Sequence, residues 1–197
     1  MWYKSIIMET YYTSDWHLGH KNIIRYSNRP FADVEEMNRA IIDNMKAKLK
    51  KGDRLYFVGD LSFQSIDKTT RLMQELKDAT GALLYFVPGN HDPKDTHDIL
   101  CSDGETPLWE HISPLMEVHD RKRKVILCHY AMKVWNKSHH GAYHLFGHSH
   151  GSMPGTTQSM DVGVDPCQFQ PVTLDECIER MARFKPFRSE DHHKTRD

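Results

Sequence analysis

No window of the sequence approaches the roughly 20 consecutive apolar residues that a membrane-spanning helix needs, so a helical membrane protein is excluded. Cysteine is scarce. Four of 197 residues are cysteine, at positions 101, 128, 167 and 177, with no C-x-x-C pair. That rules out a small disulfide framework and fits reduced thiols. Charge of one sign is also lacking: the net charge is −1, which gives no global basic field to drive stable nucleic-acid binding. The first eight residues, MWYKSIIM, have neither the long apolar stretch nor the small-residue cleavage site of a signal peptide, and a cytoplasmic protein is expected. Internal repeats, low-complexity tracts and linkers are absent as well. One domain over residues 1–184 is expected, followed by a polar tail over 185–197 that should fray.

What the chain has in excess is histidine, 14 in all. His97, His111, His119, His139, His140, His192 and His193 read as surface imidazoles. Others fall into local patterns with Asp, Asn and Gly.

Those patterns follow strands. Residues 9–14 (ETYYTS), 54–58 (RLYFV) and 83–87 (LLYFV) are β-prone runs that end at Asp15, Gly59-Asp60 and 88–92 (PGNHD). Between the first two, residues 33–50 carry Val34, Met37, Ile41, Met45 and Leu49 at helical spacing behind an Asp33/Glu36 capping box. Between the second and third, residues 68–78 form a helix stopped by Gly81. The alternation predicts an α/β protein whose ligands bind beyond the strand C-termini. Further along, residues 115–118 and 125–128 read as a hairpin around the basic cluster 121–124. That cluster is either a phosphate-contacting patch or, the favoured reading, a solvated turn. Residues 143–146 and 160–164 are further strands, and 174–184 a closing helix.

Each strand-end pattern has a chemical use. In Asp15-x-His17 an oxygen and a nitrogen ligand converge if the strand continues, because residues two apart share a face. Asp60 offers two oxygens, enough to bridge two cations about 3.5 to 4 Å apart, and Gly59 leaves backbone room for the approach. Asn90 is a neutral oxygen ligand. His91 beside Asp92 is an imidazole that the carboxylate can orient and keep basic. His129 follows a strand, and His148 and His150, two apart in a glycine-bounded turn, can split between neighbouring ions. Any one of these is weak evidence, but five in order, each at a strand end, are hard to obtain by chance.

The complete set, Asp15/His17, Gly59/Asp60, 89–92 (GNHD), His129 and 147–150 (GHSH), resembles the calcineurin-like metallophosphoesterase family over residues 15–150. The resemblance implies a four-layer αββα sandwich of two mixed β-sheets flanked by helices, here without a cap domain. It implies that Asp15, His17 and His150 hold one divalent metal, that Asn90, His129 and His148 hold the other, and that Asp60 bridges them. His91, backed by Asp92, would stand over the substrate and protonate the leaving alkoxide while hydroxide held by the metals attacks a phosphate ester. Mixed imidazole and oxygen ligands suit Mn²⁺, Fe²⁺, Zn²⁺, Ni²⁺ or Co²⁺, with Mn²⁺ the choice for assays. Phosphodiesters such as cyclic or short nucleotides are favoured over nucleotide or protein phosphomonoesters. A scaffold that binds protein partners is the rival from another class.

Residues 17–31 and 161–165 (DVGVD) resemble small bacterial and phage-type members. Within them His20 either reaches a substrate phosphate or base or packs beneath the site, and Arg29 is expected to pair with Asp33 or Glu36. Substrate choice should come from loops 19–31 and 133–143. In the latter, Trp135, His139, His140 and Tyr143 either stack on a nucleobase or simply pack the loop, the conservative reading for Trp135 and Tyr143. Oligomeric state is unreadable, though a surface strand near Val125 offers a pairing edge.

Overall fold

The computed structural model describes residues 8–188, so the N-terminal signal reading, His192, His193 and the tail beyond 188 lie outside the described residues. The order is β1 (Thr10–Thr13), α1 (Lys21–Tyr26), α2 (Val34–Lys48), β2 (Arg54–Phe57), α3 (Ile66–Thr80), β3 (Leu83–Phe86), β4 (Trp109–Ile112), β5 (Leu115–Asp120), β6 (Arg123–Cys128), β7 (Tyr143–Phe146), β8 (Ser159–Asp161), β9 (Val172–Thr173) and α4 (Leu174–Met181). Helix α2 starts where Asp33 accepts from the Glu36 amide at 2.8 Å, and α3 ends on Gly81 in the left-handed conformation. Three elements were not foreseen. Helix α1 is six residues long, β9 two, and β4 (WEHI) has too few apolar residues to show a period.

Two mixed sheets result. One runs β4-β3-β2-β1-β9, parallel except for β9, and the other runs β5-β6-β7-β8 with only β5 antiparallel. Strand pleating sorts the side chains. In β2 and β3, Leu55, Phe57, Leu84 and Phe86 face α2 and α3 and join Trp16, Met37, Ile41 and Met73. Tyr56 of β2, with Val58 and Val87 just past the strand ends, packs against Val125, Leu127, Leu145 and Met160 of the second sheet. Each such large side chain, removed from water, contributes about 1.5–3 kcal/mol. Helix α4 inserts Leu174, Cys177 and Met181 into this inter-sheet layer.

The expected sandwich of two mixed sheets with flanking helices is therefore the fold. Over the outer face of the second sheet, Ile126 is covered by Trp135, Ala142, Met132 and Phe187. Phe187, placed in the tail that should fray, is instead packed on Trp135, and its amide donates to Thr157 Oγ1 at 3.0 Å. The expected pairing edge near Val125 is also corrected. Val125 is fully buried and lies in β6, hydrogen-bonded on both sides, so the edges of that sheet are β5 and β8.

The hairpin turn falls on Arg121 and Lys122, both at positive φ. Three of its four cations are ion-paired at the far end of the sheet: Arg121 with Glu9 and Asp175, Arg123 with Asp175, and Lys124 with Glu117. The cluster is a solvated, ion-paired turn. No described helix is long and apolar enough to cross a membrane.

Candidate metal centre

The C-terminal ends of β1, β2 and β3 meet those of β6, β7 and β8 at one rim of the sandwich, and the strand-end residues converge there. Asp15, His17 and His150 bring ligand atoms within 4.8 Å of one another, and so do Asp60, His129 and His148. Asp60 joins the two groups, its Oδ2 lying 3.6 Å from His17 Nε2 and 3.5 Å from His129 Nε2. Asn90 Oδ1 is 3.2 Å from His129 Nε2. All seven residues expected as ligands are thus in one place. Asp15, His17, Asp60 and His129 form a buried floor, and His148, Asn90 and His91 are exposed above it.

The convergence has a different cause from the one the sequence suggested. Strand β1 ends at Thr13, and both Asp15 and His17 are left-handed, with φ of 58° and 51°. Asp60, His148 and His150 share that region, at 60°, 67° and 48°. Residues without this freedom are normally excluded from it, at about 1–3 kcal/mol each, and such strain is stored mainly at functional sites. The turns are held by bonds between neighbouring strand exits: Asp15 N–H to Gly59 C=O at 2.9 Å, and His17 N–H to Asp60 C=O at 3.1 Å. Close approach demands glycine. A Cβ on Gly59 would lie 2.4 Å from His129 Nδ1, and one on Gly89 would lie 2.2 Å from Asp60 Oδ1.

Hydrogen bonding fixes the rings. His129 Nδ1 is 2.8 Å from Val58 C=O, which can only accept, so Nδ1 carries the proton and Nε2 is bare. That nitrogen then faces Asn90 Oδ1 and Asp60 Oδ2, three acceptors with no proton among them unless the ring is charged. Burial opposes a charged His129, but Asp60 outweighs it and raises the pKa. His150 Nδ1 is likewise 2.7 Å from Asp165 Oδ2, leaving its Nε2 for the first group. His17 is 3% exposed, and neither of its ring nitrogens has a partner. Burial lowers its pKa to about 3, so it is neutral and able to ligate. Burial, seconded by the charge of Asp161, pushes the Asp15 carboxyl up to about 7. Orphaned imidazole nitrogens, a strained carboxylate and facing acceptors are what a pair of divalent cations would satisfy.

Supporting residues fall partly outside expectation. Asp92 does not back His91. Its carboxylate accepts from the amides of Asp60 at 2.7 Å, Leu61 at 2.8 Å and Gly89 at 2.8 Å, and so ties the β2 and β3 exits together. His91 is instead fastened by its own amide, which donates to Asp60 Oδ1 at 3.0 Å. Arg29 pairs with neither Asp33 nor Glu36. Its buried guanidinium binds both oxygens of Asp165, at 2.8 and 2.9 Å, and donates to the carbonyls of Asp15 and Trp16, each at 2.8 Å. Asp161 accepts from Ser149 Oγ at 2.6 Å and from the amides of Gly151 and Gly163 at 2.9 and 2.7 Å, shaping the turn that carries His148 and His150.

Trp135 belongs to the outer layer, 8% exposed, its indole N–H donating to Ala142 C=O at 2.8 Å, and Tyr143 packs between the sheets. Neither stacks at the site. His144, on which the sequence gave no hint, is a buried neutral ring between Ile126 C=O and the Met132 amide. Beside the first group of candidate ligands stands Phe63, with ring centroids 4.3 Å from His20, 4.9 Å from His91 and 5.4 Å from His17. Its position three residues after Asp60 was the one available signal.

No family model matches the chain. It is 28% identical over 180 residues to an uncharacterized protein of Methanocaldococcus jannaschii, covering 91% of this chain and 94% of that one. It is 25% identical over 166 residues to the Gene 66 protein of Mycobacterium phage L5, covering 73% and 78%. Among solved structures it is similar to a protein of unknown function from Aquifex aeolicus, with a TM-score of 0.65, 18% identity and coverage of 88% of this chain and 99% of that one. That likeness establishes a shared fold.

Proposed function

We propose that the chain is a dinuclear metal-dependent phosphoesterase of the calcineurin-like kind. The observation that carries this reading is Asp60 Oδ2, which lies within 3.6 Å of a histidine from each of two ligand groups. A carboxylate so shared suits two ions a few ångströms apart. Asp15, His17 and His150 would hold one and Asn90, His129 and His148 the other, with Asp60 common to both. When bound, such a pair supplies positive charge that neutralises a phosphoryl group and makes water acidic enough to act as nucleophile near neutral pH.

The chain's own residues supply the rest. His91 is exposed on the rim, its backbone fixed to Asp60, and is placed to give a proton to a leaving oxygen. An alkoxide leaves poorly without one, whether from a monoester or a diester, and phosphodiesters are the substrates proposed first. Asp165 and Val58 C=O hold His150 and His129 in the tautomers that present Nε2.

The test is hydrolysis of bis(p-nitrophenyl) phosphate and p-nitrophenyl phosphate with Mn²⁺. Turnover that disappears in Asp60→Ala supports the reading, and a large monoester preference would remove the diester preference alone. No metal binding by the purified protein would return a non-catalytic scaffold to favour, and full activity in Asp60→Ala would overturn the site assignment.

A further inference from the structure

We propose that Phe63 is a platform for a planar leaving group, which makes nucleoside or aryl phosphate esters the substrate class; this rests on the phosphoesterase reading. Phe63 is 43% exposed, unusual for a phenyl ring in the middle of a polar site. It does not hang free. Its amide donates to Leu18 C=O at 2.8 Å, locking it to the segment that carries His17 and His20. The preceding Ser62 is pinned by Thr69 Oγ1 at 2.7 Å and by the Gln64 amide at 3.1 Å. The ring lies nearly flat against His20, with 18° between planes, which fixes its orientation further.

Position gives this ring its role. His91, whose proton the leaving oxygen would take, is 4.9 Å from Phe63 between centroids. A leaving group with its oxygen at His91 therefore carries its body across Phe63. A flat, rigid, exposed aromatic face favours a flat partner, because the ordering cost is already met and a π-face accepts any base. An aliphatic alcohol gains much less there. Tyr130, also exposed at 48%, stands edge-on to His148 and His129, on the side of the second group. His20, nearly parallel to Phe63, extends the stack.

Calorimetric titration of the Mn²⁺-loaded protein with AMP and with ribose 5-phosphate isolates the base, since both carry the same phosphate. The wild type is expected to bind AMP about tenfold more tightly, the size of one base-on-aromatic stack. Phe63→Leu should abolish that difference while leaving ribose 5-phosphate affinity unchanged, and Phe63→Tyr should preserve it. Equal binding of the two ligands by the wild type, or an equal loss for both in a folded Phe63→Leu, would overturn the assignment. If base discrimination is absent while ester hydrolysis persists, only the Phe63 role falls. If neither ligand binds and no ester is hydrolysed, the phosphoesterase reading falls with it.

Discussion

Asp165 Oδ2 lies 2.7 Å from Nδ1 of His150, and the same carboxylate takes both prongs of the buried Arg29. One side chain thus orients a candidate ligand and neutralises the cation that grips the Asp15 and Trp16 carbonyls. Asp165→Asn keeps the shape but loses the charge and presents a donor where His150 needs an acceptor. Metal affinity of the first group should fall about 10–100-fold, as for other partners of ligating histidines. Titration with Mn²⁺ checks this, and unchanged affinity would remove Asp165 from the site.

Removing Arg29 should act mainly on stability. Arg29→Met takes the guanidinium from the largely buried Asp165 carboxylate and strips two carbonyls of their donor, a loss of about 3–5 kcal/mol by analogy with other broken buried pairs. Urea denaturation of the metal-free variant would show it. A loss under about 1 kcal/mol would mean that water replaces the guanidinium.

Asp15 gives a pH dependence of definite sign. Its carboxyl titrates near 7 when folded, against 3.8 as the ordinary value. Between those values the folded state holds a proton that the unfolded state has released, so Asp15 makes stability fall as pH rises from about 4 to about 7. The full penalty, up to about 4 kcal/mol, is present above pH 7. Metal-free Asp15→Asn should therefore be more stable than wild type at pH 8 and nearly equal to it at pH 3.5, while binding metal poorly. Equal stability at pH 8 would show that the carboxylate is not penalised by its burial.

Asp92→Asn separates two roles. If the carboxylate serves the strand exits, the variant should lose about 1–3 kcal/mol of stability, because an amide cannot accept all three backbone N–H groups on its oxygen. The pH–rate profile of the folded variant should match that of the wild type. Denaturation and a pH–rate profile read the two separately, and a shifted profile at full stability would favour partnership with His91.

The sequence by itself determined which residues are candidate ligands and where they sit along the chain. Asp15, His17, Asp60, Asn90, His129, His148 and His150 stood out because ligand chemistry restricts residue type and because β-prone runs mark the strands they follow. The strand-helix-strand order, the Asp33 cap and the Gly81 stop were legible for the same reason, as local patterns with local causes. What only the tertiary structure decided were relationships between side chains far apart in sequence. The pairing of Arg29 with Asp165 spans 136 positions, and the tie from Asp92 to Asp60 and Leu61 replaced the contact that adjacency to His91 suggested. Trp135 had two readings, stacking on a base or packing its loop, and its burial over the second sheet decided for packing, while Phe63 drew no reading from the sequence at all. Burial and partner choice depend on how the two sheets close on each other. No local pattern encodes that, so the candidate ligands could be read in advance while the groups that orient them, and the ring that stands beside them, could not.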